Sequence, residues 1–155
     1  MRGMKYLKAM IAAVLLVVML CGSAMAADMG AKVLMPSMAV YNSSQQQIGT
    51  LKQGTSFTVT AMSGDWAQIS YRGNTGYAKL KDIVFDARLK GVSTTSTQIS
   101  FVTKDSYRRG VYYTGTLSAG VTLYVAGING DQFLFFDESG NVMGYVAKSA
   151  LRRVD

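Results

Sequence analysis

The chain has 155 residues, a formal net charge of +7, no histidine and a single cysteine, Cys21. Everything after Cys21 therefore lacks disulfides, a thiol nucleophile, an imidazole base and Cys/His metal ligands, so no cofactor or metal site is expected. Setting aside Arg2, Lys5 and Lys8 leaves +4. In an exported protein, as the N-terminus suggests, that modest positive balance points to anionic wall polymers or lipid headgroups rather than nucleic acid. Basic residues scattered singly or in pairs usually mark a solvated surface.

The N-terminus reads as an export signal. Arg2, Lys5 and Lys8 give a basic start, and Ala9 to Leu20 is apolar and uncharged. Ala24-Met25-Ala26 then places small residues where a signal peptidase inspects them, so 1–26 is expected to be a signal-peptide helix cleaved near Ala26-Ala27. The run is short for a spanning helix, and an uncleaved anchor, the one expected route to a membrane, stays open. Cys21 follows bulky Leu20 rather than the small residue that lipoprotein processing needs, and it is expected to leave with the signal.

Past the signal, short-strand patterns follow one another. Met35-Pro36-Ser37 is an early bend, and Phe57, Val59 and Ala61 alternate with Thr58, Thr60 and Met62 as in a half-buried strand. Ser63-Gly64-Asp65 is a turn, Trp66 to Tyr71 the returning strand, and Arg72-Gly73-Asn74 a second turn before Thr75 to Ala78. The polar stretch from Asp86 to Thr97 is expected to be a linker, centred on 87–96. Thr122 to Ile128, Phe133 to Asp137 and Val142 to Val146 then repeat the layout. Phe133, Leu134, Phe135 and Phe136 put apolar groups on both faces of one strand, so it is expected to be covered on both sides, by the linker, the first copy or a second chain.

These elements form an internal repeat. Gly49-Thr50-Leu51-Lys52-Gln53-Gly54 returns as Gly115-Thr116-Leu117-Ser118-Ala119-Gly120, and Ser63-Gly64-Asp65 as Asn129-Gly130-Asp131. After a two-residue insertion within 137–141, Gly76-Tyr77-Ala78-Lys79 returns as Gly144-Tyr145-Val146-Ala147. Strands spaced by turns, with no amphipathic helix between them, predict an all-β protein whose two copies, 29–86 and 97–155, are each a small barrel or sandwich. Gly49, Gly54, Gly115 and Gly120 are expected to end strands and permit turns rather than cradle a phosphate.

The order Val40-Tyr41, Ser43-Ser44, Ile48-Gly49-Thr50-Leu51, Gly54, Val59, Gly64-Asp65-Trp66, Ile69, Tyr71, Gly73 and Gly76-Tyr77 resembles the bacterial SH3 (SH3b) family. The resemblance is strong over 31–85 and weaker over 97–153. It implies two tandem SH3-like barrels in an exported, extracytoplasmic protein that binds peptidoglycan peptide or glycan, or an anionic wall polymer. It also admits an exported protein partner, with the chain as a scaffold or as the accessory of a separately encoded hydrolase. Family members often carry an Arg-Ser-Gly-Pro turn where this chain has Tyr41-Asn42-Ser43-Ser44, and the family tryptophan is Trp66 in the first copy but Gln132 in the second.

Strand parity puts Trp66 on the outer face if Ala67 and Ile69 face the core, and gives Tyr77 the opposite parity to Ala78. Tyr41, Trp66 and Tyr77 are therefore candidate ligand-binding residues, either as the floor of a groove or as caps on a small barrel. Tyr107, Tyr113 and Tyr145 are the counterparts in the second copy, with Tyr112 and Phe133 beside them. No carboxylate pair flanks a cleft as a glycosidase requires, so the chain is expected not to be an enzyme. Residues 29–90 carry seven Lys/Arg against three acids, and 91–155 six against five, which makes the first copy the better site for an anionic ligand.

Overall fold

The computed structural model describes residues 28–103 and 111–154; the expected signal segment, 1–26, lies outside them. The chain divides into two units, the first ending at Ala87 and the second beginning at Arg88. In the first, β1 (Met29–Val33), β2 (Ser37–Tyr41), β3 (Gln47–Lys52), β4 (Ser56–Ser63), β5 (Trp66–Tyr71), β6 (Asn74–Lys79) and β7 (Ile83–Phe85) form one sheet. Its order is β3-β2-β6-β5-β4-β1-β7, antiparallel throughout, with a single 3-10 turn at Leu80–Asp82.

Inward residues from near opposite ends of that order, Val40 on β2, next to edge strand β3, and Phe85 on edge strand β7, are both 0 % exposed. No described helix covers the sheet, so such burial requires it to roll up around one core of Met38, Val40, Val59, Ile69, Ala78, Ile83 and Phe85. A β-bulge between Val59 and Ala61 bends β4. It also shifts the alternation by one residue: Val59 and Met62 are buried, whereas Ala61, expected beside Val59, is only half-buried.

The second unit repeats this arrangement strand for strand. β8 (Leu89–Ser93), β9 (Thr97–Thr103), β10 (Tyr113–Leu117), β11 (Thr122–Asn129), β12 (Gln132–Phe136), β13 (Val142–Ala147) and β14 (Leu151–Arg153) run in the order β10-β9-β13-β12-β11-β8-β14. Turn contacts recur as well. The Leu80 amide donates to the Asp65 carbonyl as that of Lys148 does to Asp131, and Leu34 donates to Asp82 as Thr94 does to Ala150. The protein is thus all-β, with two SH3-like units.

Two expectations need correction. The polar stretch 87–96 is no linker, because it contains β8, which lies between β11 and β14 in the sheet. Its polarity misleads because Ser93, 2 % exposed, stands where the first unit has Val33; its hydroxyl donates to the Ser118 carbonyl and accepts from the Val121 amide. Gly49 and Gly115 do not serve positive φ, a role that falls to Gly54 (82°) and Gly120 (85°). They allow an aromatic ring close to the strand: a Cβ on Gly49 would collide with the Tyr71 hydroxyl, and one on Gly115 would lie 3.1 Å from Phe101 Cε1. The doubly apolar strand β12 is buried on both faces, with Phe133, Leu134 and Phe135 each at 2 % exposure or less.

Candidate functional site

Two tight turns set the site in the first unit. Gly64-Asp65 joins β4 to β5 with Ser63 opposite Trp66. Arg72 and Gly73, both at positive φ, join β5 to β6. That second turn fixes the register as Tyr71 with Asn74, Gln68 with Tyr77 and Trp66 with Lys79. Paired and alternate residues share a face, so Trp66, Gln68, Tyr77 and Lys79 stand on the side opposite Ala67, Ile69 and Ala78, which are at most 1 % exposed. Tyr41, opposite Tyr77 across β2 and β6, joins them.

Tyr41, Trp66 and Tyr77 therefore lie on one half-buried surface. The Tyr41 and Trp66 rings meet edge to face with centroids 5.4 Å apart, and the Lys79 ammonium lies 5.8 Å from the indole centroid. Beside them the β2–β3 loop is held by Asn42, whose side-chain oxygen accepts from the Ser44 and Gln46 amides, each at 3.0 Å, while its Nδ2 donates to Gln46 Oε1. Gln45 takes a left-handed φ of 61° in that loop. Asn42, Ser43, Gln45, Trp66 and Tyr77 together line a hollow of about 240 Å³.

The described residues of the second unit do not repeat this arrangement. In the register of β13 against β9, Tyr145 faces Ser100, so Ser100 stands where the first unit has Tyr41, and Gln132 where it has Trp66. Tyr113 stacks on Phe101 at 5.6 Å in the row of Gly144 and Phe135, one row from Tyr145, so the two tyrosines lie on opposite faces of the sheet. Phe133 is core, and Tyr107 lies outside the described residues. Of the residues singled out in the sequence, the structure assembles Tyr41, Trp66 and Tyr77, and leaves Tyr113 and Tyr145 apart.

Sequence reasoning missed Asn42, Ser43, Gln45 and Lys79. Lys79 was within reach, because a two-residue turn at Arg72-Gly73 pairs it with Trp66, whereas a three-residue reading leaves the register open. Near the site, burial raises the Asp82 carboxyl above its ordinary value of 3.8, partly offset by Lys81 and Lys79. Among the described residues no three His, Cys, Asp or Glu side chains lie together as ligands for a metal ion.

Fold and site define a pair of small SH3-like barrels, the first with an aromatic hollow. The family described as Bacterial SH3 domain matches residues 42–83, from the loop that rims the hollow to the start of β7. The first unit thus carries the bacterial SH3 sequence pattern. No curated protein matches the chain. Among solved structures it is similar to NlpC1 from Trichomonas vaginalis, at 13 % identity over 81 % of this chain and 46 % of that one, with a TM-score of 0.36. NlpC2 from the same organism is similar at 10 % identity, over 81 % and 48 % respectively, with a TM-score of 0.35. The chain spans about half the length of each.

Proposed function

We propose that this is an exported, non-catalytic binding protein of the bacterial cell envelope, and that its first unit holds peptidoglycan in the hollow beside Trp66. One observation carries the reading: the segment with the bacterial SH3 pattern, 42–83, contains every residue that lines the hollow. The resemblance supplies the setting, since such domains sit in exported proteins and engage wall components. The surface supplies the means, namely flat rings that bury area at small entropic cost beside a loop already fixed by its own hydrogen bonds.

The test is co-sedimentation of residues 27–155 with washed sacculi. The wild-type protein is expected in the pellet and Trp66→Ala in the supernatant. Trp66 is half-buried, so its truncation is expected to lower stability by less than the roughly 3–5 kcal/mol typical of a core aromatic. A folded wild-type protein that stays in the supernatant would defeat the proposal.

A second reading, attachment to an exported protein, is favoured by Val111, Tyr112 and Tyr113, which are 38 %, 65 % and 41 % exposed at the start of edge strand β10. It predicts a stable complex from envelope extracts that Tyr112→Ser disrupts and Trp66→Ala does not.

A further inference from the structure

We infer that the hollow takes a neutral, amide-bearing sugar ring of the wall glycan rather than the stem peptide or an anionic polymer. This rests on the wall-binding reading and adds the class of ligand. The polar groups around the hollow are the first reason. Among the described residues the Trp66 indole N–H, the Tyr77 and Ser43 hydroxyls and the Gln45 side-chain amide have no hydrogen-bond partner, although Asn42 beside them uses both ends of its own side-chain amide. Two rings edged by uncommitted hydroxyl and amide groups complement a pyranose. One face of such a ring is C–H and apolar, and its rim carries hydroxyls and an acetamido group that both donate and accept.

Charge and backbone geometry argue the same way. No ionised side chain lines the hollow, and the Lys79 ammonium stands against the indole outside the lining. A carboxylate or phosphate would therefore enter without an opposing charge in its wall. A peptide that adds as a strand needs an open edge of backbone. Beneath the hollow there is none, because Trp66 is paired with both Ser63 and Lys79, and Tyr77 with both Gln68 and Tyr41. Recognition falls to side chains. At about 240 Å³ the hollow suits one ring of a polymer rather than a longer segment.

Trp66 is the only tryptophan of the chain, so its fluorescence reports this site alone. Residues 27–155 would be titrated with an N-acetylglucosamine tetramer, a synthetic stem tetrapeptide and polyglycerol phosphate, each at low and high salt. The tetramer is expected to shift the emission saturably and independently of salt. Gln45→Ala and Tyr77→Phe, which leave the reporter in place, are each expected to weaken that titration up to about ten-fold, as loss of one hydrogen bond does, and Tyr113→Ala to leave it unchanged. A response to the tetrapeptide alone, or a salt-sensitive response to polyglycerol phosphate alone, would overturn the sugar assignment. So would a protein that sediments with sacculi but gives no response to the tetramer, and in all three cases wall binding would stand. A protein that neither sediments nor responds would overturn both.

Discussion

At Trp66 one side chain meets the edge of Tyr41, lies under the Lys79 ammonium, lines the hollow and has an N–H with no hydrogen bond among the described residues. The neighbours on its own strand, Ala67 and Ile69, face the core, so replacement of the indole removes surface chemistry while the packed interior stays intact. Asp82 shows the opposite case, a charge placed where the fold tolerates it poorly. Burial raises its carboxyl pKa, so between the unfolded and folded values the folded chain holds more protons. Stability from this group is then greatest at low pH and falls as pH rises through the raised value. Asp82→Asn is therefore expected to unfold at higher temperature than wild type at neutral pH. The advantage should vanish on acidification through the carboxylate range, and thermal melts across pH check this.

Among the elements, the β2–β3 loop most directly prepares the site. A bulge at Val40/Tyr41 lets the chain leave β2, and Asn42 then gathers the amides of Ser44 and Gln46. Asn42→Ala leaves those amides without their acceptor and is expected to cost about 1 kcal/mol locally. The loop opens while the barrel holds. Hydrogen exchange should quicken at Ser44 and Gln46 but not at Val59 or Ile69, and sacculus binding should weaken although no lining aromatic has changed. In the second unit β9 and β10 stand further apart in sequence than β2 and β3, and the ring against Gly115 comes from Phe101 on β9 rather than from the β5 position that supplies Tyr71 against Gly49.

For the whole molecule, the two units share one topology but not one surface. The first has the aromatic face and the second a strand buried on both sides, so among the described residues a repeat in fold is not a repeat in surface. Unit boundaries follow from the sheets. A fragment that begins at residue 97 lacks β8, which pairs with both β11 and β14, and is expected to stay unfolded, with collapsed amide dispersion in an NMR spectrum. A fragment that begins at Arg88 keeps that strand and is expected to give a dispersed spectrum. Folding of the shorter fragment would mean that β8 is dispensable.

Local chemistry was enough to make the all-β class, the repeat and the outward parity of Trp66 and Tyr77 legible. Two-residue periodicity, Gly-Asp turns and the spacing of glycines act over a few residues and need no partner to be read. Register and burial depend on distant chain, and only the tertiary structure decided them. The bulge at Val59/Ala61 moved Met62 into the core, and Ser93 became an interior residue because Ser118 and Val121 met its hydroxyl. The polar surroundings of Ser93 concealed a strand. Tyr145 and Tyr113 looked equivalent to the first-unit aromatics by order along the chain, yet pairing with β9 set them on opposite faces. A hollow is made of side chains that converge from separate strands and a loop, and that convergence is fixed by hydrogen-bond register, which composition and spacing do not encode residue by residue.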